Sequence, residues 1–195
     1  MFYENIGQNV RVGEYLQSTK YFEHCEEKIR RIFQPIKYYV KRANAWFEEK
    51  GIAQQEKTCV HLRRGDMEKE PQKFPSNKWF SSVFATMPPN AKFIFFSDDI
   101  LWVKRQQIFA NQDYVYSERD NDGHHSSPED TMLDFTLMTL CDYFVLSRGS
   151  FGWWAAYLSK SGLKQVFYNN EFRGTEIEHE FEKAYYPPEW LEWTV

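Results

Sequence analysis

Lys92-Phe93-Ile94-Phe95-Phe96 is the stretch on which the fold turns. A continuous apolar run of this length suits a strand covered on both faces, as in parallel sheets whose helical crossovers supply the cover. Upstream, Cys59-Val60-His61-Leu62 reads as a short strand. Trp79 to Met87 reads as a short helix closed by Pro88-Pro89. Downstream, Ile100 to Phe109 reads as a helix and Tyr114-Val115-Tyr116 as a strand, followed by a polar loop over 117–127.

Ser127-Pro128-Glu129-Asp130 then carries every signal of a helix start: cap, proline at the first position, acids in the first turn, and capping-box spacing. Leu133, Leu137 and Leu140 form its buried stripe. Tyr143-Phe144-Val145-Leu146 is the next strand, Phe151 to Lys160 a helix, and Gln165-Val166-Phe167-Tyr168 the last strand. Strands alternating with helices of this length predict an α/β fold, a Rossmann-like and mostly parallel sheet over residues 58–195. The acidic, aromatic tail 171–195 is expected to pack back onto it.

Residues 1–57 read differently, as a helical connecting segment. Tyr21, Phe22, Cys25, Ile29, Ile32 and Phe33 fall at helix spacing, and Pro35 interrupts. A second helix runs from Ile36 to Lys50 with Tyr39, Val40, Ala43, Trp46 and Phe47 on one side, and Gly51 stops it.

Composition narrows the partners. The chain has 195 residues, 42% hydrophobic and 27% charged, with a net charge of -4. That balance argues against nucleic acid as a main partner and requires any anionic ligand to meet a local basic cluster. Cys25, Cys59 and Cys141 show no C-x-x-C spacing, and the odd number leaves one thiol without an internal partner. Cys59 and Cys141 sit in apolar contexts that predict burial. No apolar run of about 18 residues and no signal-peptide pattern occurs, so no membrane contact and no address are expected from this sequence.

Two loops at strand ends carry the candidate chemistry. Arg63-Arg64-Gly65-Asp66 follows the strand ending at Leu62; adjacent guanidiniums beside a glycine make a phosphate clamp that needs no metal. Ser147-Arg148-Gly149-Ser150 precedes a helix, where small residues leave N–H groups open to an anion. Asp98-Asp99 can accept from a ribose hydroxyl or a guanine edge; alternatively, Asp98 alone can cap the helix at Ile100. Asp120-Asn121-Asp122, with His124 and His125, has the composition of a metal loop and equally of a turn. Arg64-Gly65-Asp66 spells an integrin tripeptide, poorly placed for adhesion beside a buried strand.

His61-Leu62-Arg63-Arg64-Gly65-Asp66, Asp130-x-x-x-Asp134 and the stretch Cys141 to Leu158 together resemble the α-1,2-fucosyltransferases of glycosyltransferase family 11. Gly13-x-x-Leu16-Gln17-Ser18-x-Lys20-Tyr21-Phe22 is similar to the segment leading into that family's central helices. The resemblance implies the donor-binding half of a GT-B-like Golgi membrane enzyme that transfers fucose from GDP-fucose to a galactose-terminated glycan, with inversion and without metal or cofactor. It implies that Arg63 binds the β-phosphate and Arg64 supports its loop. His61, Asp98 and Asp99 would face the nucleoside, and Ser147, Ser150, Phe151 and Gly152 would hold phosphate from the other side. Arg63 would stabilise the leaving diphosphate, while Asp66, Glu68 or Glu70 would take the acceptor proton. Where such enzymes carry Gly-x-x-Gly-Asn-x-x-Phe near the N-terminus, this chain has Ile6-Gly7-Gln8-Asn9. That departure leaves a second expectation, a non-catalytic GDP-sugar-binding remnant without an acceptor domain.

Overall fold

The computed structural model describes residues 18–65, 69, 74–110, 113–117, 127–169 and 185–195. Six strands form one sheet: β1 (Lys57–Leu62), β2 (Lys92–Ser97), β3 (Tyr114–Tyr116), β4 (Tyr143–Leu146), β5 (Gln165–Tyr168) and β6 (Leu191–Glu192). They lie in the order β3-β2-β1-β4-β5-β6, and every pairing is parallel. The sheet is therefore fully parallel rather than mostly so.

Its two faces are separated residue by residue, as the pleat requires. Cys59, Ile94, Phe96, Phe144, Leu146 and Val166 point to one face, under α2 (Lys37–Glu49), α6 (Pro128–Thr139) and α7 (Ser150–Leu158). Val60, Leu62, Phe93, Phe95, Tyr143, Val145 and Phe167 point to the other, under α3 (Asn77–Phe84), α4 (Ile100–Arg105) and α5 (Gln107–Ala110). Helices on both faces explain why the strands read as unbroken apolar runs. Cys59 and Cys141 are fully buried, as their contexts predict.

The helix starts follow the sequence signals. Ser127 and Asp130 form the full capping box of α6, with Pro128 at its first position. Ser76 caps α3 by accepting from Trp79 N–H at 3.2 Å. Gly51, at φ +68, ends α2 in the left-handed region.

Three local expectations change. The helix expected over Tyr21–Phe33 is shorter: 3-10 turns at Thr19–Tyr21 and Glu23–Cys25 precede α1 (Glu26–Ile32). Phe22 leaves helical geometry (φ -138) and its ring stacks on Trp154 of α7 at 5.5 Å. The helix expected over Ile100–Phe109 is two, broken at Gln106, whose ψ of 113 is extended. The tail contributes β6, and its anchor is tryptophan: Trp79 Nε1–H donates to the Trp193 carbonyl at 2.6 Å, and Trp193 Nε1–H to Ser82 Oγ at 2.8 Å.

The helical segment before the sheet is part of the same core. Ala43 and Phe47 of α2 are buried with Leu137 and Met138 of α6. α1 covers the end of α7, where Arg30 donates to the Tyr157 carbonyl and lies 3.9 Å over the Tyr157 ring. Burial pushes the Tyr157 phenol up to about 12, although the Arg30 charge pulls it down. Because the unfolded phenol titrates near 10, this stabilisation is complete below pH about 10 and is lost as pH rises toward 12. Melting temperature should fall over that window, and Tyr157→Phe should flatten the fall.

Candidate functional site

In an open parallel sheet the ligand crevice lies beyond the carboxyl ends of the strands, where strand order reverses. Here β2 and β3 extend from one side of β1, and β5 and β6 extend beyond β4. The reversal therefore falls between β1 and β4. The two loops singled out in the sequence leave those two strands.

The structure joins them. Arg63 N–H donates to Ser147 Oγ at 2.9 Å, and Ser147 N–H donates to the His61 carbonyl at 3.0 Å. Ser147 is buried, so its hydroxyl serves to tie one loop to the other. Gly149 has φ +102, a conformation costly to any other residue. A Cβ there would stand 2.9 Å from Arg63 Cδ and 3.3 Å from Nη1. The Arg63 side chain thus crosses the loop and brings its guanidinium to the first turn of α7. Among the described residues no side chain caps that turn. A guanidinium and the positive end of a helix share one crevice, which is the charge arrangement of an anion site.

His61 lies one layer beneath. It is 8% exposed, and its ring is 5.9 Å from that of Phe151. A Cβ on Gly152 would fall 2.6 Å from His61 Nδ1. Gly152 is therefore the place where α7 approaches β1 too closely for a side chain. Phe151 packs between His61 and Phe135, at 5.3 Å from the latter. Ser150 is exposed at the start of α7.

The adjacent arginines diverge, because successive residues of extended chain point to opposite sides. Arg64 turns to the other face, where its guanidinium lies 4.6 Å from the Trp102 ring, a cation–π contact. The crevice between β1 and β4 thus receives one guanidinium of the pair, and the other braces the loop against α4.

Both aspartates after β2 hold backbone. Asp98 accepts from Arg64 N–H at 2.7 Å and Gly65 N–H at 2.9 Å, fixing the loop that carries Arg63. Asp99, and not Asp98, caps α4 by accepting from Trp102 N–H at 2.9 Å. Ser97 Oγ–H donates to the Leu62 carbonyl at 2.8 Å, tying the ends of β1 and β2 together. Asp66, Glu68, Glu70, and the Asp120–Asp122 loop with His124 and His125, lie outside the described residues. Among the described residues no group of three or more His, Cys, Asp or Glu can hold a metal ion.

Two further residues are fixed by polar contacts. Asp134, on α6, is 3% exposed and accepts from the Ser117 hydroxyl just past β3. Its place in Asp130-x-x-x-Asp134 was visible in the sequence; its burial was not. Tyr185 comes from the tail, with its carbonyl accepting from Trp153 Nε1–H at 2.9 Å, and nothing in the sequence foretells that contact. A cavity of about 280 Å³ lined by Gln34, Pro35, Val40, Cys141, Asp142 and Ser161 opens near the amino end of β4, at the opposite end of the strands from these loops.

The profile of glycosyl transferase family 11 matches residues 3–193. A galactoside 2-alpha-L-fucosyltransferase of Caenorhabditis elegans is 26% identical over 190 residues, covering 91% of this chain and 51% of that protein. Galactoside 2-alpha-L-fucosyltransferase SEC1 of Bos taurus is 25% identical over 201 residues, covering 95% and 52%. An alpha-1,2-colitosyltransferase of Escherichia coli is 26% identical over 163 residues, covering 76% and 51%. The chain spans about half the length of the curated relatives it matches.

Proposed function

The chain belongs to glycosyl transferase family 11, and from that membership we propose that the crevice between β1 and β4 holds the diphosphate of GDP-fucose for transfer to the 2-hydroxyl of a terminal galactose. One observation carries the reading. Arg63 is fixed at both ends of its reach, by Ser147 on its backbone and by the bare Gly149 under its side chain, with its charge at the start of α7.

The chemistry follows from that placement. Inverting transfer places negative charge on the departing diphosphate as the sugar carbon gains oxocarbenium character. A guanidinium already held there stabilises that charge without reorganising, and its fork matches phosphate oxygens. The N–H groups at the start of α7 add neutral donors to the same anion. Asp98 keeps the Arg63–Gly65 loop in register, and His61 with Phe151 sets the floor. With the leaving group neutralised by protein, the reaction runs without a metal. An acidic residue takes the acceptor proton; Asp66, Glu68 and Glu70 are the nearest in sequence to the loop. By relation to the galactoside fucosyltransferases, the acceptor is a galactose-terminated glycan and the setting the Golgi lumen.

Calorimetry with GDP and GDP-fucose, followed by a transfer assay onto a β-galactoside in the presence of EDTA, tests this. Binding of both nucleotides and EDTA-resistant transfer are expected. Absence of GDP binding would remove the donor site. Binding without transfer would leave a donor-binding protein and remove the transferase reading.

A further inference from the structure

We infer that the corner between α1 and α2 is a membrane-docking surface, which seats the chain on the headgroup layer of a bilayer bearing anionic lipids. The inference is independent of the donor-site reading. Four large apolar side chains are exposed there within seven residues: Ile32 is 59% exposed, Phe33 53%, Ile36 63% and Tyr38 59%. Single apolar residues scattered over a surface are ordinary, whereas a cluster marks a contact. The corner is also held from behind. Gln34 donates a side-chain N–H to the Leu158 carbonyl at 3.2 Å, Arg30 donates to the Tyr157 carbonyl, and the Phe33 ring stacks on Trp154 at 5.6 Å. A patch fixed in this way loses little freedom on contact.

Charge selects the partner. Residues 28–47 contain six Lys and Arg and no Asp or Glu, in a chain whose net charge is -4. Lys28, Arg31, Lys37 and Lys41 are exposed and flank the apolar cluster in sequence. Of the acids just before them, Glu26 is engaged by Arg30. A second copy of the chain in a two-fold contact would bring these cations against themselves. An anionic bilayer takes both components: the cations meet headgroups and the apolar side chains reach the acyl boundary. Among the described residues no helix is long and apolar enough to cross a membrane, so the contact is with its surface. Gln34 and Pro35 share a cavity with Cys141 and Asp142, which lead into β4, so the corner lies at the amino end of the strands. Docking there leaves the crevice at the carboxyl ends open to solvent.

Co-sedimentation of the full chain with vesicles of equal parts phosphatidylserine and phosphatidylcholine should show binding that high salt weakens. Vesicles of phosphatidylcholine alone should retain far less protein. Ile32→Ser with Ile36→Ser should lower the partition by on the order of tenfold, and Lys37→Gln with Lys41→Gln by a similar factor. All four side chains are exposed, so melting temperature should not move; should the isoleucine pair lower it, the lysine pair decides alone. No binding to the anionic vesicles overturns the inference. Equal binding to both kinds of vesicle removes charge from the contact and overturns it too, as does full binding by both double variants. A concentration-dependent dimer in sedimentation velocity, lost with Ile32→Ser and Ile36→Ser while vesicles capture nothing, gives the face to a second copy instead.

Discussion

Gly152→Ala is expected to destabilise the chain by about 1–3 kcal/mol, the range for forcing atoms into a packed interior, and to weaken GDP binding with it. An alanine Cβ would stand 2.6 Å from His61 Nδ1, 2.8 Å from Cγ and 3.1 Å from Cβ. The His61 Cβ is fixed to the backbone, so no side-chain rotation carries it away, and turning χ1 to free Cγ and Nδ1 would swing the ring out of a packed layer. His61 itself lies in β1, paired with β2 through Phe96 and with β4 through Leu146, so the strand cannot retreat. Relief must come from α7. Moving its first turn outward disturbs Gly149 under Arg63 and the Trp153 indole on Tyr185 at once. Denaturant unfolding and calorimetry measure the two effects. Gly162→Ala is the control: beyond its chain neighbours no atom of the described residues lies within 4 Å of its Cβ position, and stability should stay within about 0.5 kcal/mol. Equal stability of the two variants would mean that α7 does not approach β1 as described.

Gly152 also shows what the sequence could and could not reveal. The sheet was legible because its strands are covered twice, and Phe93 to Phe96 can be nothing but interior in such a layer. The start of α6 was legible because Ser127, Pro128 and Asp130 are local signals, acting within one turn. Strand order was implied only by the alternation of elements, yet it is the order that puts the loops of β1 and β4 side by side. The adjacent arginines looked like a clamp because sequence gives proximity along the chain; the extended backbone sends Arg64 to Trp102. The sequence offered Asp98 alone as the cap of the helix at Ile100, and a difference of one residue gives that cap to Asp99 and sends Asp98 to the Arg64–Gly65 backbone. Tyr185 was illegible for a plainer reason. Its contact with Trp153, like the stack of Tyr186 on Tyr168, joins residues far apart in the chain that no local pattern encodes.

Arg63→Ala is expected to weaken GDP binding by roughly 1.5–3 kcal/mol, the range for losing a hydrogen bond to a charged group, while leaving the melting temperature nearly unchanged. The two expectations follow from different parts of the residue. Its fold-holding contact is the backbone N–H on Ser147 Oγ, which alanine keeps. Its side chain is largely exposed and crosses Gly149 toward the start of α7, so truncation removes charge from the crevice rather than packing from the core. Arg64→Ala should show the opposite weighting, because that guanidinium lies on Trp102: a modest loss of stability and a smaller loss of affinity. Arg63→Lys separates charge from shape. Lysine restores attraction but not the planar fork, so affinity should fall between wild type and Arg63→Ala. GDP affinity equal to wild type in Arg63→Ala would place the phosphates away from the Arg63 guanidinium. The ordering of these three variants, measured by calorimetry at one salt concentration, thus tests the position of the anion as well as its existence.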